Sequence, residues 1–113
     1  METTTNTQTI PQQLDELAQR LASLEDVNMP MRMIIDSHIT EAGVLLADAR
    51  FSLRRAASYN KQAAELMEEG YNVEMQLNDA ARYAKMAADS FKHCNIEASA
   101  AKRFLQALES DLG

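Results

Sequence analysis

From Ile35 onward, apolar residues recur along the chain at alternating steps of four and three. One run reads Ile35, Ile39, Ala42, Leu46, Ala49, Leu53, Ala56, Asn60, Ala63 and Met67, with Asn60 as its one polar member. A second reads Val73, Leu77, Ala80, Ala84, Ala87, Phe91, Cys94, Ala98, Ala101, Leu105, Leu108 and Leu112, apolar throughout. A spacing that averages 3.5 residues holds one stripe on one side of a helix and is the pattern of a left-handed coiled-coil seam. Between the runs lie Gly70, Tyr71 and Asn72. Glycine takes the left-handed conformation past a helix end, and asparagine caps the next helix. The pattern therefore predicts helices over about 30–69 and 73–112, folded back on each other as a long antiparallel, alanine-rich hairpin, a rod of ~60 Å at 1.5 Å per residue. Alanine at so many seam positions lets the two backbones approach closely. Folding at Gly70 sets Phe91 against Ala49 and Leu53 against Ala87.

A shorter pattern precedes the hairpin. Leu14, Leu17, Leu21 and Leu24 form a narrow leucine seam. Thr9 and Gln12 have capping-box spacing, and Pro11 is tolerated in a first turn, so a short helix over about 10–26 is expected. Pro30 disfavours helix at Met29 and separates this helix from the next. A helix of this length is unstable alone in water and must lie on the hairpin. Residues 1–8 are polar apart from Met1 and are expected to form a flexible tail. The fold class is all-α: one helical domain over 9–113, consisting of the hairpin and a short N-terminal third helix.

Composition agrees with this reading. The chain has 113 residues, only three Gly and two Pro, and 46% hydrophobic residues, so long uninterrupted helices in one domain are favoured. A net charge of -6 argues against generic nucleic-acid binding, which needs a basic surface. One cysteine allows no internal disulfide, and no N-terminal apolar stretch resembles a secretion signal, so a cytoplasmic location is expected.

Chemistry-bearing motifs are sparse. A di-iron bundle needs Glu-x-x-His pairs on facing helices, and this sequence has none. His38 with Glu41, and Asp89 with His93, share helical spacing but read as solvated side chains. Cys94 falls on the seam as a small apolar filler without a motif to activate it. No catalytic residue, metal or cofactor is expected. Asn60 is the exception within the seam, because a single polar seam residue often fixes register or oligomeric state.

Charge is banded. Arg50, Arg54, Arg55 and Lys61, with Arg82 and Lys85 at the same height across the hairpin, make a basic belt. Glu65, Glu68, Glu69, Glu74 and Asp79 make an acidic tip at the turn. Off the seam, Tyr59, Leu66, Met75, Tyr83 and Met86 form an apolar strip that the first helix is too short to reach. Met and Tyr suit protein contacts. These features point to a non-enzymatic interaction protein, a helical homo-oligomer with a dimer favoured, that binds or inhibits a macromolecular partner. This is the class of many phage-encoded accessory factors. One alternative is a structural component of a larger assembly such as a virion or secretion apparatus. The other is nucleic-acid binding through the belt.

Overall fold

The computed structural model describes residues 8–24 and 27–112 and contains three helices: α1 (Ile10–Ala22), α2 (Met29–Glu68) and α3 (Glu74–Leu112). The expected tail, apart from Gln8, and residues 25, 26 and 113 lie outside the described residues. Gln8 itself is tied to α1: Gln13 Nε2 donates to its carbonyl at 3.1 Å, and its own amide donates to Glu16 at 2.8 Å.

Each helix begins on a side-chain cap. The Thr9 hydroxyl accepts from the Gln12 backbone N–H at 3.3 Å, and the Gln12 side chain accepts from the Thr9 N–H at 2.9 Å, so the capping box is reciprocal. Asn28 Oδ1 accepts from the Met31 N–H at 3.2 Å, and Asn72 Oδ1 from the Glu74 N–H at 2.8 Å. Such caps satisfy donors that a helix start leaves without intrahelical partners. At the end of α2, Gly70 has φ 85, the Tyr71 N–H reaches the Leu66 carbonyl and the Gly70 N–H reaches that of Met67, both at 3.0 Å. This is a Schellman closure, which needs a left-handed residue and for which glycine carries no Cβ penalty. α1 ends at Ala22, short of the expected residue 26; the Ser23 hydroxyl bonds back to the Arg20 carbonyl at 2.7 Å, an alternative that serine offers the backbone at a helix end.

By its contacts the chain is organised as two compact units. The first comprises α1, α2 up to Gly43 and α3 from Asn95. Its core is Leu17, Leu21, Ile35, Ala101, Leu105 and Leu108, with Leu24, Val27, Met31 and Ile39 packed around it. Three helices meeting here enclose large side chains completely: Ile35 and Leu105 are fully buried. Arg20 closes the edge of this core against Glu109, Nε donating to one carboxylate oxygen at 3.1 Å and Nη2 to the other.

The second unit, Val44–Cys94, is the turn end of the hairpin and contains two helices. Its buried residues include Ala49, Ala56 and Ala63 on α2, Val73 just before α3, and Ala80, Ala87 and Cys94 on α3. These repeat every seven residues, as the sequence implies. The second seam position differs from expectation. Ser52 is buried and Tyr59 and Leu66 are half-buried, whereas Leu53, Asn60 and Met67 are exposed. On α3, Gln76 and Tyr83 are half-buried, while Leu77 and Ala84 are exposed. The physical reason is that residues three and four beyond a seam residue lie ~50° to either side of it. Two helices pack along one narrow line and can bury only one flank. Here the flank carrying the tyrosines is chosen, so Leu53 does not pack inward toward Ala87.

Two expectations follow. Ala49→Leu, at a fully buried position, should destabilise the fold by ~1–3 kcal/mol through overpacking, and Ala47→Leu on the exposed side should stay within ~0.5 kcal/mol, both read from urea denaturation. The Arg20 hydrogen bonds hold the Glu109 carboxyl below its usual range, against a smaller opposing effect of burial. A carboxyl lowered in the fold stabilises above its unfolded pKa, and that contribution is lost as pH falls through the folded value. Both side chains are about a third exposed, so solvent screening keeps the pair near ~0.5 kcal/mol. The melting-temperature deficit of Arg20→Gln should therefore be present at pH 7 and vanish under acid conditions.

Candidate functional site

The turn-end unit presents two unlike flanks, set by the heptad phase of its helices. On one, Tyr59 of α2 stacks on Tyr83 of α3, ring centroids 5.8 Å apart and planes 14° from parallel. This is the register predicted by a turn at Gly70. Arg55 lies over both rings, its Cζ 5.6 Å from the centroid of Tyr59 and 5.4 Å from that of Tyr83, and 6.0 Å from Phe51. Arg82 covers Tyr83 at 5.1 Å and reaches Asp79 at 3.4 Å. The guanidinium of Arg55 is held above its ordinary pKa by its nearness to Tyr83 first and then to Tyr59. Arginine is charged at every accessible pH, so the consequence is a fixed position for a permanent cation on aromatic faces.

Three members of the expected apolar strip, Tyr59, Leu66 and Tyr83, thus belong to the seam, and Met75 and Met86 remain exposed at 72% and 46%. The strip is corrected from a row of uncovered residues to a half-buried aromatic platform with methionines on its α3 edge and Phe51 on its α2 edge. The basic belt divides as well. Arg55 and Arg82 stand on the tyrosine flank. Arg50, Arg54, Lys61 and Lys85 are exposed, and their helical phase puts them toward the opposite flank. Asn60 is corrected from the seam to the surface, because Tyr59 occupies the seam position.

The three-helix unit contains a separate polar contact. His38 Nδ1 and Glu97 Oε1 are 2.7 Å apart, and the imidazole stacks on Phe104 at 5.7 Å and 14°. The sequence suggested Glu41 as a neighbour of His38; the partner is instead on α3, and only knowledge of which helix faces which could have found it. A surface groove of about 170 Å³ between α1 and α3 is lined by polar residues including Arg20, Asn95, Ser99 and Lys102. It is below the ~300 Å³ and lacks the apolar lining of ordinary ligand sites. Cys94 is fully buried, and burial pushes its thiol pKa up, which keeps it in the unreactive protonated form. Among the described residues no group of three or more His, Cys, Asp and Glu could hold a metal ion, and no helix is long and apolar enough to cross a membrane.

The tyrosine contact can be measured directly. A double-mutant cycle of Tyr59→Leu and Tyr83→Leu should give a coupling of ~0.5–1.5 kcal/mol, the usual worth of an aromatic pair beyond its area; additive effects would show that the rings are merely neighbours. Comparison with known proteins adds no relative: no family model matches the sequence, and neither a curated protein nor a solved structure matches it significantly.

Proposed function

We propose that the protein is a non-enzymatic interaction protein, a helical homo-oligomer that binds a macromolecular partner through the tyrosine flank of its turn-end unit. One observation carries the reading: two stacked tyrosines and two arginines are held against each other, with Met75, Met86 and Phe51 exposed beside them. Tyr, Arg and Met are the residues enriched in the energetic centres of protein interfaces. Rings already stacked, and a guanidinium already seated on them, lose little rotamer freedom on binding, so more of the contact energy appears as affinity. The two cations suit a partner that presents carboxylates.

Nucleic-acid binding is the second reading, supported by the exposure of Arg50, Arg54, Arg55, Lys61, Arg82 and Lys85. The same unit weakens it by placing Glu65, Glu68, Glu69 and Glu74 within a few turns of them. Repulsion from these carboxylates opposes a phosphate backbone that would follow the face.

A photo-crosslinking phenylalanine analogue in place of Met75 or Met86 tests the reading in extracts of the native cell. The expected result is the same discrete heterologous protein adduct from both positions, absent when the probe replaces Ala47, and lost with Arg55→Glu. Adducts with itself alone, or none, would overturn partner binding on this flank. A nuclease-sensitive adduct would favour the second reading.

A further inference from the structure

The flank opposite the tyrosines leaves large apolar side chains in water. Its α2 edge presents Leu53 at 46% and Met67 at 60% exposure, and its α3 edge Leu77 at 46%, with exposed Ala57, Ala64 and Ala84 between them. The flank that the same two helices close carries Ser52 and Gln76 beside Tyr59, Leu66 and Tyr83. Closing it gains the aromatic stack and leaves the apolar area of Leu53, Met67 and Leu77 uncovered. In the three-helix unit the apolar residues have a third helix, whose Leu17 and Leu21 are buried in the core. The turn-end unit has none of its own.

The arrangement of residues on this flank is a palindrome along each helix. On α2, Leu53 and Met67 stand equally far on either side of Asn60, and on α3, Leu77 and half-buried Phe91 equally far on either side of Ala84. Charge reverses along the same edges: Arg54 stands six residues before Asn60 and Glu68 eight after it, and on α3 Glu74 stands ten residues before Ala84 and Lys92 eight after it. A surface that presents apolar residues at both ends and opposite charge at each is complementary to a second copy of itself laid antiparallel about a two-fold axis.

We propose that this flank is a homodimer interface, in which two turn-end units pack face to face and antiparallel into four helices. The proposal deepens the homo-oligomer part of the functional reading and leaves the tyrosine flank of each copy open. Leu53 of one copy meets Met67 of the other, and Leu77 meets Phe91. Arg54 meets Glu68. Asn60 lies near the axis opposite its own copy, where an amide pair bonded to each other inside an apolar strip fixes the register. Lys61 and Lys85 also come near their copies, but on the outer edges, where solvent and salt screen them. From Arg50 to Glu68 the face is ~27 Å long, and two helices are ~20 Å wide. Covering it buries ~1,100 Å² over both copies, just above the ~1,000 Å² that a specific interface must clear.

Sedimentation equilibrium on the full chain tests the proposal. Wild type should show twice the 12.6 kDa chain mass. Met67→Glu and Leu77→Glu each place a carboxylate at an already exposed position, so helicity by circular dichroism should be kept while dissociation strengthens ~100-fold, because the change counts once in each copy. Arg54→Glu and Glu68→Lys should each weaken the dimer, and the two combined should restore it to within ~3-fold, because the pairs reform across the axis with signs exchanged. A wild-type monomer at all concentrations, or a mass that climbs without limit, would overturn the closed dimer. A dimer that survives Met67→Glu and Leu77→Glu but is lost with Met86→Glu would overturn this face. None of these results changes the crosslinks expected from Met75 and Met86, so self-pairing and partner binding fail separately.

Discussion

Everything in the hairpin depends on alanine recurring every seven residues where α2 faces α3. Ala49, Ala56 and Ala63 on one helix, and Ala80 and Ala87 on the other, are buried to within a few per cent of complete. A methyl at the line of closest approach lets backbones come together where a leucine would hold them apart. The gain is dense packing over a long contact; the cost is that the seam itself carries little apolar area. A two-helix unit built this way must find further burial at its flanks.

The two units meet that requirement differently. In the first, α1 brings Leu17 and Leu21 onto α2 and α3, and large residues such as Ile35 and Leu105 are wholly enclosed. Core packing there is supported by caps and by the Arg20 and Glu109 pair at its edge. In the second, the flank that closes does so on an aromatic stack roofed by Arg55, which excludes water from the seam with side chains that remain partly accessible. The tyrosines that complete the packing of the unit stay half-buried, so the residues proposed for recognition are also structural ones. The other flank keeps Leu53, Met67 and Leu77 exposed, and it is this face that we propose for pairing with a second copy.

Function on this reading resides in surfaces rather than in a cavity. Both flanks belong to the same pair of helices, so α2 and α3 residues one position apart serve opposite ends: Ser52 and Tyr59 lie inward where Leu53 and Asn60 lie outward. Such a division is economical for a short chain, because a helix with two usable sides needs no additional domain to join a copy of itself to something else. It also makes the unit sensitive to any change in helical phase, since a shift by one residue exchanges the two sets.

The sequence by itself determined the helices, the turn at Gly70, the caps at Thr9 and Asn72, and the heptad that carries the buried alanines. Each of these follows from local preference or from a period that survives along the whole helix. It also marked the tyrosines, methionines and banded charges as the residues of interest. Only tertiary structure decided which flank of the seam is closed. Positions three and four residues from a buried alanine are equivalent by periodicity, and the choice between them lies in contacts across helices: Tyr59 on Tyr83, Arg55 above both, and, in the other unit, His38 on Glu97 and Phe104. Apart from Arg55 and Tyr59, four residues apart on one helix, those partners are 24 to 66 residues apart in the chain. Only when the helices face each other do they meet, so the division of the basic belt and the exposure of Leu53, Met67 and Leu77 became legible only in three dimensions.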